Sequence, residues 1–288
     1  MTLQTLSMIL LAAVFHATWN ILAKSSQHNE TLLWLQMIIS TLVLTPFVFL
    51  SYGMPPAAAW PTLLASGILQ ALYYMFLSRC YSIGNLSIVY PFVRGSAPVF
   101  VCLFSFLLGL EHLSFPVVIA LLLTVSGIYL TNMPQLTLSS ISAPIRTLIH
   151  DKPTRFSLFT GIMIACYTLI DKQNIKYCDP ILVYYIICII PSLLLAPSIL
   201  KKKEIKAELQ HKGWIRACLV SLFTFLAYVL ALFAMKYTDA TYVSSIREVS
   251  VVFVVIFQSI RSHDHNWKPK LVGSIIIFTG IFCMSFFS

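Results

Sequence analysis

The sequence predicts an all-α integral membrane protein: ten transmembrane helices arranged as two inverted five-helix repeats. Three observations lead there. The 288 residues are 58% hydrophobic and only 10% charged, with a mean hydropathy of +0.85. A soluble domain carries about 25% charged residues, and this chain could not cover a water-facing surface. Second, the apolar residues gather into runs long enough to cross a bilayer. Third, the two halves of the chain match one another in order.

A membrane helix needs about 20 mostly apolar residues. Ten such runs can be drawn, at 3–23, 31–51, 61–80, 86–108, 115–133, 156–173, 180–200, 214–235, 240–260 and 270–287. They are too long and too continuously apolar for barrel strands, which are about 10 residues long and alternate polar with apolar. The connections are short, the longest being 134–155 and 201–213, so no sizeable soluble domain fits between them. The first run has no basic leader and contains His16 and Asn20, so it is expected to be a retained span and not a cleaved signal.

The first five runs find counterparts in the last five. Lys24 and Trp19 fall on Lys172 and Tyr167, 148 residues on. Pro46 and Trp34 fall on Pro197 and Tyr185, 151 on; Tyr74, Ser96 and Ser105 fall on Tyr228, Ser250 and Ser259, 154 on. Glu111-His112, Pro116 and Gly127 fall on Asp264-His265, Pro269 and Gly280, 153 on. This divides the chain into a repeat at 1–133, a connection at 134–155 and a second repeat at 156–288. Because five is odd, the second repeat enters the membrane from the opposite side. That arrangement is typical of secondary transporters, whose substrate site lies near the midplane between repeats.

The charge excess is +9, from 19 Lys and Arg against 10 Asp and Glu. No basic face with interleaved aromatics appears, so nucleic acid is not expected as a partner. Lys201, Lys202, Lys203, Lys206, Lys212, Arg216 and most other basic residues follow odd-numbered runs, whereas Lys172, Lys176 and Lys236 follow even-numbered ones. The positive-inside rule then places the odd loops in the cytoplasm and both termini outside. The seven cysteines lie mostly inside apolar runs with no C-x-x-C spacing and read as small core residues. His263-Asp264-His265 reads as a solvated loop, because three adjacent side chains do not converge on one ion. No metal and no cofactor are expected.

The scarce polar residues inside the runs are the candidate site. Arg94, in the fourth run, has Arg247 and Glu248 as counterparts in the ninth, at register 153 or 154. A charge near the bilayer centre costs about 2.5–3.5 kcal/mol on insertion scales and usually faces a polar interior. These residues are expected either to form a substrate or proton-coupling site between the halves, or to serve structure, as an Arg94–Glu248 bridge or by snorkelling to the interface. Pro91, Gly95 and Pro98 punctuate the same run, which is expected to be kinked for packing or unwound at a ligand site. Tyr90 lies beside them. His16, Trp19 and Asn20 share one face of the first run, Tyr167 and Asp171 an i, i+4 face of the sixth, and Gln70 and Tyr74 one of the third, with Tyr228 as repeat mate of Tyr74. These residues could line a cavity for an amphiphilic metabolite; interhelical hydrogen bonds alone would explain them equally. Lys24, Asp171, Lys172 and Asp239 are expected at the interface.

Leu11-Ala-Ala-Val-Phe-His-Ala-Thr-Trp-Asn-Ile-Leu-Ala-Lys24 resembles the first span of the EamA family of the drug/metabolite transporter superfamily. So do Leu86–Pro98, Leu107–Ser114 and Asp239–Ser250 in their places, and the resemblance covers the whole chain as two five-helix units. It implies a ten-helix carrier of a small metabolite or drug-like solute, often an exporter, with both termini inside, against the charge count. The family's acidic residue after a small apolar-Gly step is present as Gly109-Leu110-Glu111. The second half has Arg261-Ser-His-Asp-His265, with no Gly.

The expected function is therefore secondary transport of a small molecule by alternating access, in the bacterial inner (cytoplasmic) membrane, with the lipid bilayer as partner. A homodimer is compatible with the sequence and not required by it. A lipid-headgroup flippase of the same fold is the nearest rival. A membrane-embedded transferase is disfavoured because no H-E-x-x-H, G-x-S-x-G or P-loop is present, and a channel because no run carries a sustained polar stripe.

Overall fold

A computed structural model describes residues 2–84, 86–110, 114–131, 133, 135, 137–140, 142–143, 145, 151–210, 212–251, 254 and 267–286. The helices are α1 (Leu3–Lys24), α2 (Asn29–Ser51), α3 (Trp60–Ile83), α4 (Leu86–Leu107) and α5 (Phe115–Thr131), then α6 (Lys152–Asn174), α7 (Pro180–Lys202), the single-turn α8 (Ile205–Leu209), α9 (Gly213–Met235), α10 (Ala240–Arg247) and α11 (Trp267–Phe286). Among the described residues, six are long and apolar enough to cross a membrane: α1, α2, α3 with its preceding turn from Ala57, α6, α7 and α9. The shorter apolar segments Phe92–Leu107 and Phe115–Thr131 join them. Of the ninth run, the description covers α10 and continues to Val251, with Val254 beyond. Glu111, His112, Arg261, Ser259 and His263-Asp264-His265 lie outside the described residues.

Local sequence sets the helix ends. Asp151 opens α6 by accepting from the Thr154 amide at 3.0 Å, and Asp179 opens α7 by accepting from the Ile181 amide at 2.9 Å, each followed by a proline that needs no amide partner. Lys203 ends α7 in the left-handed region at φ 56°. The fourth run is continuous helix through positions 91, 95 and 98, so the unwound alternative is not realised there. The irregularity falls in the other half: the Glu248 amide bonds to Ser245 O at 3.0 Å and the Val251 amide to Glu248 O at 2.8 Å, tightening the helix by i→i+3 bonds.

The polarity of the bundle is the reverse of a soluble protein's. Leu42, Val43, Phe49, Leu50 and Leu193 face outward, while Gln36, Ser40, Gln70, Arg94, Asp171 and Glu248 are buried. Interior polar groups bond across helices: Ser40 Oγ lies 3.0 Å from Tyr184 OH and 2.8 Å from Ser221 Oγ, tying α2 to α7 and α9.

The packing pairs up under exchange of the halves. α1 packs on α9 as α3 packs on α6, while α2 packs on its counterpart α7 and α5 on its counterpart α11. α2 and α7 run antiparallel, since Trp34 Nε1 donates to Ser192 O (2.8 Å) near one end and Tyr52 OH to Asp179 Oδ1 (3.1 Å) at the other. Partial burial first, and then the Asp179 carboxylate, hold the Tyr52 phenol above its ordinary pKa. α5 and α11 are antiparallel as well. A Cβ on Gly127 would come within 2.6 Å of Gly273 O, and one on Gly280 within 2.7 Å of Ala120 O, so the backbones touch at two counterpart points.

Lys24 and Lys172 repeat one contact. Lys24 Nζ, at the end of α1, donates to Tyr81 O and to Gly84 O (2.9 Å) at the end of α3. Lys172 Nζ, near the end of α6, donates to Met235 O and Thr238 O (2.5 Å each) at the end of α9. Both residues are expected at the interface, and both stand at helix ends, where each caps carbonyls of a neighbouring helix and complements its dipole.

Candidate substrate site

The site forms where α1, α3, α4, α6, α9 and α10 meet. Arg94, on α4, and Glu248, at the end of α10, are 4% and 0% exposed, and Arg94 Nη2 lies 2.9 Å from Glu248 Oε1. Register 154 is thus the one in which the two residues meet. The contact is an ion pair but is not aligned as a hydrogen bond: both Glu248 oxygens and Arg94 Nε have no hydrogen-bond partner among the described residues. The two charges thus compensate each other with hydrogen-bonding capacity to spare. Tyr90, also on α4, donates its hydroxyl to Ser250 Oγ at 3.1 Å, one turn along the same inter-half contact.

Arg247 lies beside Glu248 in the chain but faces α1. Its Nη2 is 3.1 Å from His16 Nδ1. Trp19 Nε1 donates to the same ring nitrogen at 3.2 Å, with the two rings edge to face at 5.0 Å. Asn20 turns away: its amide donates to His16 O at 2.7 Å and its oxygen accepts from Tyr81 OH, binding α1 to α3. That is the hydrogen-bonding role set beside cavity lining in the sequence.

Seven of the expected residues line one small cavity: His16, Trp19, Gln70, Tyr74, Tyr167, Tyr228 and Arg247. Tyr73, Thr224 and Ala227 complete it. The rings pack closely, Tyr73 on Tyr167 at 5.6 Å, Tyr167 on Tyr228 at 6.2 Å and Tyr184 on Tyr228 at 5.7 Å. A second small cavity adjoins it through Tyr167, Tyr228 and Arg247 and reaches Asp171. Each holds about 10 Å³, room for about one water. Toward the Lys- and Arg-rich end, a cavity of about 590 Å³ lies among Asn29, Met75, Arg79, Leu195 and Lys202, one turn along α3 from Tyr74.

Asp171 corrects an expectation. It was placed at the interface, but its side chain is wholly buried. Oδ1 accepts from Ser66 Oγ (2.6 Å) and Asn174 Nδ2 (3.1 Å), and Oδ2 from Tyr228 OH, which in turn accepts from Gln70 Nε2. Burying a carboxylate is tolerable where donors surround it. Asp239 does stand at a helix end, exposed, as N-terminal residue before α10. Sequence reasoning also passed over Tyr73, Thr224 and Tyr184. The available signal was their spacing: Tyr73 neighbours Tyr74, and Thr224 sits one turn before Tyr228.

Fold and site together define a multi-pass helical membrane protein with a buried polar centre. The chain matches the EamA-like transporter family over residues 3–133 and again over 155–286, and it belongs to that family. No curated protein matches it. Solved structures do. One, titled "Crystal structure of protein", superposes with a TM-score of 0.72 at 13% identity, covering 98% of this chain and 96% of that one. At that identity the likeness concerns the fold alone.

Proposed function

We propose that this protein is a secondary transporter. A small solute binds between two inverted five-helix halves at Arg94, Arg247 and Glu248, and the halves rock around it so that the site faces one side of the membrane and then the other. The observation that carries this reading is the Arg94–Glu248 pair. Counterpart residues of the two halves bring opposite charges together in the buried centre, with hydrogen-bonding capacity left over. A purely structural buried pair needs its remaining lone pairs and protons satisfied to offset desolvation, and here the second carboxylate oxygen, Oε2, and Arg94 Nε have no hydrogen-bond partner among the described residues.

The antiparallel α2–α7 and α5–α11 pairs, together with the repeated Lys24 and Lys172 contacts, support the inverted arrangement. The water-sized inner cavities suit an occluded stage of such a cycle, and the 590 Å³ cavity beside Met75 and Arg79 would serve as a vestibule to them. Tyr74, Tyr167, Tyr228 and Trp19 supply the apolar lining of the binding space, and Tyr90 braces the inter-half contact. The sequence carries no nucleotide-binding motif, in keeping with transport driven by an ion gradient or by the substrate's own concentration. The basic end, with Lys202, Lys206 and Arg216, faces the cytoplasm by the positive-inside rule, and export is the direction implied by the EamA resemblance.

The test is uptake and efflux by proteoliposomes against a metabolite panel, with and without a proton gradient. Protein-dependent, saturable movement of at least one solute supports the reading. Equal rates in protein-free liposomes across the panel, or product formed from lipid by the purified protein, would count against it.

A further inference from the structure

We infer that the ligand of the central site is an organic anion and that Arg247 receives its charged end; this rests on the transport reading above and supplies its substrate class. The charges near the site are two guanidinium groups and the Glu248 carboxylate, with Asp171 at the edge of the adjoining cavity. Glu248 stands against Arg94. Arg247 is 7% exposed and has no carboxylate within ion-pair distance among the described residues. Asp171 shares a cavity wall with Arg247, but its oxygens are engaged by Ser66, Asn174 and Tyr228.

The partner Arg247 does have is a neutral one. A guanidinium can only donate, so the His16 Nδ1 atom facing it is an acceptor and the ring is uncharged. Trp19 Nε1 donates to that same nitrogen. Two donors share one lone pair, and Arg247 Nε makes no hydrogen bond among the described residues. Arg247 is therefore a buried cation held by half a hydrogen bond, a costly arrangement unless something completes it. A carboxylate or phosphate supplies both missing elements: a compensating charge, and two acceptor oxygens for the forked guanidinium edge. The surroundings define the rest of the ligand. Trp19, Tyr73, Tyr74 and Tyr167 present ring surfaces, and the hydroxyls of Tyr74 and Tyr228 are already engaged. Once that space opens, an anion carrying an apolar or aromatic body suits the lining; a cation would face two guanidinium groups against a single carboxylate already held by Arg94.

The test uses the purified full-length protein in detergent, its thermal unfolding followed against benzoate, phenyl phosphate and tetraphenylphosphonium. At least one of the two anions is expected to raise Tm saturably, and the cation is not. Which anion does so distinguishes a carboxylate from a phosphate ligand. Arg247→Gln is expected to weaken the anion about tenfold or more, as for loss of a charged hydrogen bond of about 1.5–3 kcal/mol, with Arg247→Lys losing less. A measurement on the wild type avoids any folding defect of the variants: the anion should protect Arg247 from phenylglyoxal, as mapped by mass spectrometry. Stabilisation by the cation and by neither anion, unchanged anion affinity in Arg247→Gln, or unprotected Arg247 overturns the inference. The transport reading fails separately: an anion that binds at Arg247 but never crosses proteoliposomes leaves the site standing and removes the transporter. A neutral or cationic solute carried equally by wild type and Arg247→Gln does the reverse.

Discussion

Lys24 and Lys172, 148 residues apart, perform the same act on opposite sides of the bundle: each reaches from the end of one helix to the last carbonyls of another. The helices they clasp, α3 and α9, are themselves counterparts. The contact is thus a property of the repeat and not of either half. Lys24→Met and Lys172→Met are each expected to lower stability by about 1.5–3 kcal/mol, and the double variant by close to the sum, since the two sites share no partner. Thermal unfolding in detergent measures this. A strongly non-additive double variant would mean that the two clasps are mechanically linked.

The central ion pair gives a different pattern. Removing Arg94 alone strands the Glu248 carboxylate in the interior, at a cost of about 3–5 kcal/mol. Arg94→Gln/Glu248→Gln should regain much of that loss and yet stay inactive. A double variant as unstable as Arg94→Gln alone would show that the pair is not what the carboxylate depends on.

The α5–α11 contact depends on backbone proximity. Gly273→Ala would put a Cβ 2.5 Å from Gly127 O, and backbone cannot swing aside as a side chain can. We expect a loss of about 1–3 kcal/mol. Gly53→Ala is the control, since nothing lies within 4 Å of its added Cβ, and its Tm should not fall.

Orientation is read by labelling. Tyr177 is exposed at the Lys-poor end, and Lys206 lies in α8 at the basic end. In a cysteine-free background, Tyr177→Cys should react with a membrane-impermeant maleimide in intact cells. Lys206→Cys should react only after permeabilisation. The reverse pattern would put the termini inside, as the EamA resemblance implies.

Much of this architecture is legible in the residues. The apolar runs locate α1, α2, α7 and α9 to within a few residues, because in lipid a helix must satisfy its own backbone. The register that sets Ser96 on Ser250 also sets Arg94 on Glu248. Asp171 shows where legibility ends. Followed by Lys172-Gln173-Asn174, it has the look of a helix end, and only the approach of Ser66 and Tyr228 from two other helices turns that end inward. The His16–Arg247 contact is hidden for the same reason, since its partners are 231 residues apart and have no counterpart relation. The tightening at Glu248 is likewise invisible: α4 carries the prolines, yet α10 carries the break.

The central claim is that the Arg94–Glu248 pair lies in the path of a transported solute. Its most direct test is the transport rate of Arg94→Ala and Glu248→Gln in proteoliposomes, normalised to inserted and correctly purified protein. The account predicts that both variants insert, Arg94→Ala with a lowered Tm from the stranded Glu248 carboxylate, and that the folded fraction of each transports nothing above protein-free liposomes. Wild-type rates in both would contradict it.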